Sequence, residues 1–223
     1  VDRRWLAAGV LGLSGFAALV HEIAWTRILA LVFGPTTYAF AAVLAGVIAG
    51  VALGSAAGVW LVGRVRHPSA WLALALACGA VATSYTYSLA GQRIPSLVAR
   101  EMATSDDPLT QVLRQGLWLT VALVVPTALC LGAAFPLGLS LAGEAAERLE
   151  ARFGTVYAVN TLGSVTGSLA AGFLLIPRFG LQHTLQVASG CLIAAALVVV
   201  IRGGLSRTAR AAGVLASGAA VVV

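Results

Sequence analysis

The sequence has 223 residues, 60% hydrophobic and only 10% charged, with a net charge of +6 and a mean hydropathy of +0.96. A soluble domain carries about 25% charged residues, so this composition excludes an ordinary water-soluble fold and points to an integral membrane protein. Long apolar runs with short polar breaks fit a multi-span helix bundle, and the weak alternation of an outer-membrane barrel is absent.

In chain order the apolar runs predict an all-α polytopic bundle of six full spans and a seventh that begins near Ala209. Span 1 covers Trp5 to Phe33 and span 2 Tyr38 to Val62, joined at Gly34-Pro35. Span 3 covers Ala70 to Ala90, span 4 Leu109 to Leu141, span 5 Val156 to Ile176 and span 6 Leu181 to Ile201. The break from Gln92 to Gln115 carries Ile94, Leu97, Val98 and Met102 at helical spacing, which predicts a short amphipathic surface helix or a plain loop. Asp107-Pro108 suits a cap and first helical position for span 4. The charged run Glu144 to Arg152 predicts a cytoplasmic helical turn, with Glu144 and Arg148 in i,i+4 contact.

Every cationic residue is an arginine. Arg3, Arg4, Arg64, Arg66, Arg148, Arg152, Arg202, Arg207 and Arg210 fall on one side, and Arg27, Arg93, Arg100, Arg114 and Arg178 on the other. The positive-inside bias therefore places the N-terminus in the cytoplasm. The arginines are scattered over many loops, which argues against a nucleic-acid partner. Cys78, Cys130 and Cys191 each lie in an apolar span and read as packing residues, not disulfide partners or metal ligands.

The candidate polar site is intramembrane: His21, Glu22, Trp25 and Arg27 on span 1, with Tyr157 and Asn160 on span 5. Ionisable groups in a span are costly and mark functional sites by default. His21 and Trp25 share one face, and Glu22 shares another with Thr26. A pocket of His21, Glu22 and Trp25 suits a cation, which needs a carboxylate and an aromatic face. The plainer alternative puts the bilayer boundary near Ala24, with Trp25 an interfacial anchor and Glu22 close to the headgroups.

Gly46, Gly50, Gly54 and Gly58 recur every fourth residue on span 2, and Gly163, Gly167 and Ala171 repeat the pattern on span 5. Such rows let a neighbouring helix approach to backbone contact. Spans 2 and 5 are expected to pack through these small faces. Pro126 and Pro136 kink span 4 and free carbonyls, which need partners such as Thr127, Ser140 or a neighbouring helix. No dinucleotide fingerprint, Walker loop or His-Glu-x-x-His occurs, so no catalytic residue, cofactor or metal site is assigned.

Three stretches carry a family likeness. SGFAALVHEIAWTRILALVFGPTTYAFAAVLAGVIAGVALGS (14–55), PTALCLGAAFPLGL (126–139) and FGTVYAVNTLGSVTGSLAAGFLLIPRFGLQ (153–182) occur in order over most of the chain. Together they resemble the membrane-spanning part of bacterial spermidine-synthase-like membrane proteins, in which major-facilitator-like spans are fused to an aminopropyltransferase domain. The resemblance implies major-facilitator-like packing, an inner-membrane location and a polyamine as partner molecule. It also implies a Rossmann-like domain after Val223 that binds decarboxylated S-adenosylmethionine through a glycine-rich loop. A cytoplasmic domain there requires an eighth span. None of the catalytic residues of such a domain is in this sequence.

Three functions are weighed. The first is a membrane domain that anchors or serves polyamine-related aminopropyl transfer. The second is a permease for a small cationic solute, with Glu22, His21 and Asn160 lining its path. The third is a non-catalytic subunit that docks further membrane subunits, or a second copy, through its glycine faces.

Overall fold

The computed structural model describes residues 3–33, 37–92, 117–142 and 149–203. The expected surface helix between Gln92 and Gln115, the Glu144–Arg148 contact and the seventh span from Ala209 lie outside the described residues.

Every described element is helical. In the absence of water the backbone must satisfy its own polar groups, and an apolar sequence does so as helix. The elements are α1 (Arg3–Phe33), α2 (Thr37–Val62), α3 (Pro68–Gln92), α4 (Leu117–Leu123), α5 (Val125–Ser140), α6 (Leu149–Ala170) and α7 (Ile176–Arg202), with a π-helical turn at Ala171–Leu175 between the last two. Among the described residues, four helices are long and apolar enough to cross a bilayer, or five when α4 and α5, bent by 45°, are taken as one. The longest, Phe153–Arg202, would extend about 75 Å at 1.5 Å per residue if it were straight. It is broken at Gly180, whose φ of 77° and ψ of 172° are non-helical.

The contacts fix the direction of each helix. Gly12 meets Val159 and Gly163, and Phe16 meets Gly167, so α1 and α6 run parallel. Gly46 meets Thr120, Gly50 meets Ala128 and Gly58 meets Pro136, so α2 runs parallel to α4 and α5. Gly203 lies by Ser69, Gly79 by Leu192, and Ser189 donates to the Ala80 carbonyl at 3.2 Å. The part of α7 after Gly180 is therefore antiparallel to α3 and returns to the end where α1 starts.

The expected pairing of the two glycine-bearing helices with each other is wrong. The glycine face of α2 is taken by α4 and α5, and that of α6 by α1. A row of small residues specifies close approach but not the partner.

The two seams are copies of each other. Gly163 lies against the Gly12 carbonyl oxygen, and Gly54 against that of Leu129. A Cβ on Gly15 would fall 2.6 Å from the Asn160 carbonyl oxygen, and one on Gly132 2.5 Å from the Val51 carbonyl oxygen. Gly167 lies against the Phe16 carbonyl oxygen, and Gly58 against that of Ala133. One constant offset relates Gly12, Gly15 and Phe16 to Leu129, Gly132 and Ala133. Another relates Val51, Gly54 and Gly58 to Asn160, Gly163 and Gly167. Leu11 lies over Gly138, and Trp25 clusters with Leu123 and Val124, so α1 and α5 are antiparallel. The α1–α3 half is thus inverted relative to the half from α4 to α7.

Size sorts the surface. Phe40, Ile48, Leu53 and Trp60 of α2 point outward while its glycines point in. Lipid is as apolar as leucine, so bulk gains little by turning inward and close backbone packing decides the interior. Trp5, Trp60 and Trp71 are exposed near one end of the bundle, and Tyr38, Tyr85 and Trp118 toward the other. The Arg4 guanidinium lies 4.8 Å from the Trp5 ring centroid, and that of Arg64 4.2 Å from the Trp60 ring centroid. Aromatic and cationic belts of this kind mark membrane interfaces. Along α2 they lie about 33 Å apart at 1.5 Å per residue, close to the bilayer's hydrocarbon thickness.

Candidate functional site

The predicted polar residues separate into groups. His21 and Trp25 come together, one turn apart on α1. Their ring centroids are 5.2 Å apart, tilted by 38°. Both are buried, His21 completely and Trp25 to 2% exposure. The reading of Trp25 as an interfacial anchor is therefore corrected: it is the tryptophan turned into the bundle, beside Leu29, Val43, Leu123 and Val124.

Glu22 lies elsewhere. It is two turns on from Gly15, so it shares the α1 face that meets α6 and the π-helical turn. It is half-buried. Thr26, on the same face, donates to the Glu22 main-chain carbonyl at 2.8 Å, not to its carboxylate. Among the described residues the carboxylate has no hydrogen-bond or ion-pair partner. Arg27 is exposed at the edge of the bundle. Asn160 is half-buried against Gly15, a turn and a half or more below Glu22, and Tyr157 is 63% exposed on the outer side of α6. The structure does not join Asn160 and Tyr157 to the His21 group.

The residue that does join His21 from another helix is a threonine, Thr83 of α3. The His21 Nδ1–H donates to the Ala17 carbonyl at 2.6 Å, and its Nε2 lies 2.7 Å from Thr83 Oγ1. Thr83 Oγ1 is also 2.8 Å from the Gly79 carbonyl. On the next turn Thr86 shares its hydroxyl proton between the Ala82 carbonyl at 2.9 Å and the Leu123 carbonyl at 3.0 Å. Gly79 faces Cys130 and Thr86 faces Leu123, so Thr127 of α5 lies at the level of Thr83. Thr127 Oγ1, Thr120 Oγ1 and Trp25 Nε1 are buried with no hydrogen-bond partner among the described residues. His21, Trp25 and Thr83 thus form a small buried polar group on α1 and α3, with Thr127 of α5 at the same level.

The 45° bend between α4 and α5 lies just before Pro126, whereas α5 continues as helix through Pro136. Pro136 removes the donor that the Gly132 carbonyl would use. Ser55 of α2 donates to that carbonyl at 3.2 Å, while Ser140 bonds its own Leu137 carbonyl at 2.7 Å. Near Pro126, Thr86 of α3 reaches the Leu123 carbonyl beside the bend.

The sequence alone does not mark the threonines as site residues, because hydroxyls in spans ordinarily bond their own helix. Their spacing is the available signal: Thr83 with Thr86, and Thr120 with Thr127, repeat on one helical face. The offset that relates the two halves sets Gly138 and Ala142 opposite His21 and Trp25. The group of His21, Trp25 and Thr83, on α1 and α3, therefore has no counterpart in the other half. No group of side chains suited to a metal ion occurs among the described residues. Comparison with protein-family models, curated proteins and solved structures finds no match.

Proposed function

We propose that this chain is the membrane-embedded domain of a spermidine-synthase-like protein, a major-facilitator-like bundle that anchors and serves polyamine-related aminopropyl transfer. The observation that carries the reading is the inverted pairing of the two halves. The stretches 14–55, 126–139 and 153–182, which bear the family likeness, also supply most of the backbone-close contacts of both seams, with Gly12 and Gly58 just outside them. Inverted repeats packed through a common core are the architecture of such transporter-like domains. In this reading the arms on either side of Gly180 are separate passes. The chain crosses six times up to Arg202, a seventh pass starts near Ala209, and the N-terminus is cytoplasmic in a bacterial inner membrane.

The test is enzymatic. Membranes that carry the full-length gene product are given putrescine and decarboxylated S-adenosylmethionine. The expected result is spermidine formed beyond that of membranes lacking the protein; equal formation overturns the reading.

The inverted pairing equally favours a permease for a small cationic solute, with Glu22 as the group that meets the charge. Proteoliposomes are then expected to take up labelled putrescine, and Glu22→Gln to abolish the uptake in a folded protein. The docking-subunit reading loses its proposed surface. Gly46, Gly50, Gly54, Gly58, Gly163 and Gly167 are covered from within the chain.

A further inference from the structure

The hydrogen-bond chain around His21 has a property that follows from counting protons. A carbonyl only accepts, so Nδ1, 2.6 Å from the Ala17 carbonyl, carries a proton in either state of the ring. Thr83 has one hydroxyl proton and two acceptors in reach, His21 Nε2 at 2.7 Å and the Gly79 carbonyl at 2.8 Å. With a neutral ring, the hydroxyl donates to Nε2. With a charged ring, Nε2–H donates to Thr83 Oγ1, and the hydroxyl turns to the Gly79 carbonyl. Each arrangement satisfies every partner, and only the hydroxyl hydrogen moves. Gly79 is untroubled in the neutral state, because its carbonyl retains the ordinary helical bond from the Thr83 backbone.

We propose that His21 and Thr83 form a proton-holding site inside the bundle, whose neutral and charged states differ only in one added proton and the direction of the Thr83 hydroxyl. In uptake the Nε2 lone pair binds a proton from water, and the Thr83 hydroxyl rotates away; release reverses both steps. An ionised group removed from water needs charge-assisted hydrogen bonds, and the ring has two. The indole of Trp25, with its centroid at 5.2 Å, is within the reach of a cation–π contact. Neighbouring titratable groups are sparse. Glu22 and Arg27 lie on α1 itself, turned away round the helix. Cys130 of α5 packs on Gly79, and Cys191 of α7 borders the same core. No described charged side chain bonds the ring. Thr83 also ties α1 to α3, so the proton is held where two helices of one half meet.

The experiment uses the whole chain in lipid nanodiscs. The sequence has three histidines, so His67→Gln with His183→Gln leaves His21 alone, labelled with ¹⁵N. At high pH the spectrum is expected to show a protonated Nδ1 and a bare Nε2. As pH falls, Nε2 is expected to gain one proton while helix content is unchanged and Trp25 emission drops. Thr83→Val is expected to displace that transition by about one pH unit, the worth of a hydrogen bond to a charged group, while Thr83→Ser keeps it in place. An Nε2 that stays bare while the chain remains folded overturns the proposal. So does a transition at the same pH in the folded Thr83→Val protein. If that variant does not fold, the parent titration and Thr83→Ser decide: loss of the transition, or its displacement in Thr83→Ser, overturns the proposal.

Discussion

Single glycines here have unequal value, because some face backbone and others face open space. A Cβ on Gly54 would meet the Leu129 carbonyl oxygen, and one on Gly163 the Gly12 carbonyl oxygen. Backbone cannot swing aside, so either helix pair must separate. Overpacking of this kind costs about 1–3 kcal/mol. Gly54→Ala and Gly163→Ala are each expected to lower the midpoint of denaturant unfolding in detergent by that amount. Gly9→Ala, with nothing within 4 Å of the added atom, is expected to leave it unchanged or raise it, since alanine is the better helix former by about 1 kcal/mol. The glycine rows were legible in the sequence because their period is that of a helix face. Their partners were not, because two small faces are complementary to many surfaces alike. The His21–Trp25 pair was equally legible from i,i+4 spacing. Thr83 was not, since a hydroxyl satisfied by its own helix and one shared with a neighbouring histidine look the same in sequence.

Irregular elements carry their own compensation. The Gly132 carbonyl is short of a donor only because Pro136 lacks an N–H, and Ser55 supplies one from α2. Ser55→Ala is expected to cost about 0.5–1.5 kcal/mol in the parent. With Pro136→Ala the helix bonds its own carbonyl again, so the same Ser55→Ala change is expected to cost close to nothing. A double-mutant cycle on unfolding midpoints measures the difference; equal costs in both backgrounds would show that Ser55 acts by packing alone. At Gly180 the backbone takes φ 77° and ψ 172°, a conformation nearly confined to glycine. Gly180→Ala is expected to destabilise by about 1–3 kcal/mol, although nothing lies within 4 Å of the added Cβ. The cause is the dihedral angle, not a clash, so Gly180→Ser is expected to be no better tolerated. The break itself was readable from Pro177 and Gly180. The π-helical turn just before it was not, because its residues, AGFLL, suit an ordinary helix.

At the scale of the whole molecule, direction is the quantity that sequence leaves open and packing supplies. Hydropathy marks the apolar runs, but a 50-residue helical path such as Phe153–Arg202 is one rod or two passes according to the geometry at a single residue. The contacts decide it: Leu181 and Leu185 pack on Ala24 and Ile28 near the end of α1, while Gly203 lies by Ser69 at the start of α3. The path therefore goes out beside α1 and comes back beside α3. Residues 3 and 202 therefore lie at one end of the bundle, and residues 27 and 178 at the other. A cysteine-free background is made by replacing Cys78, Cys130 and Cys191, and single cysteines are placed at Arg3, Arg27, Arg178 and Arg202. In intact right-side-out vesicles, a membrane-impermeant maleimide is expected to label Arg27→Cys and Arg178→Cys, and to reach Arg3→Cys and Arg202→Cys only after permeabilisation. Labelling of Arg178→Cys together with Arg202→Cys would make the path after α6 a single excursion, and the inverted relation of the two halves would fail with it. Labelling of the opposite pair would keep the fold and reverse only its orientation, which would then contradict the positive-inside bias of the arginines.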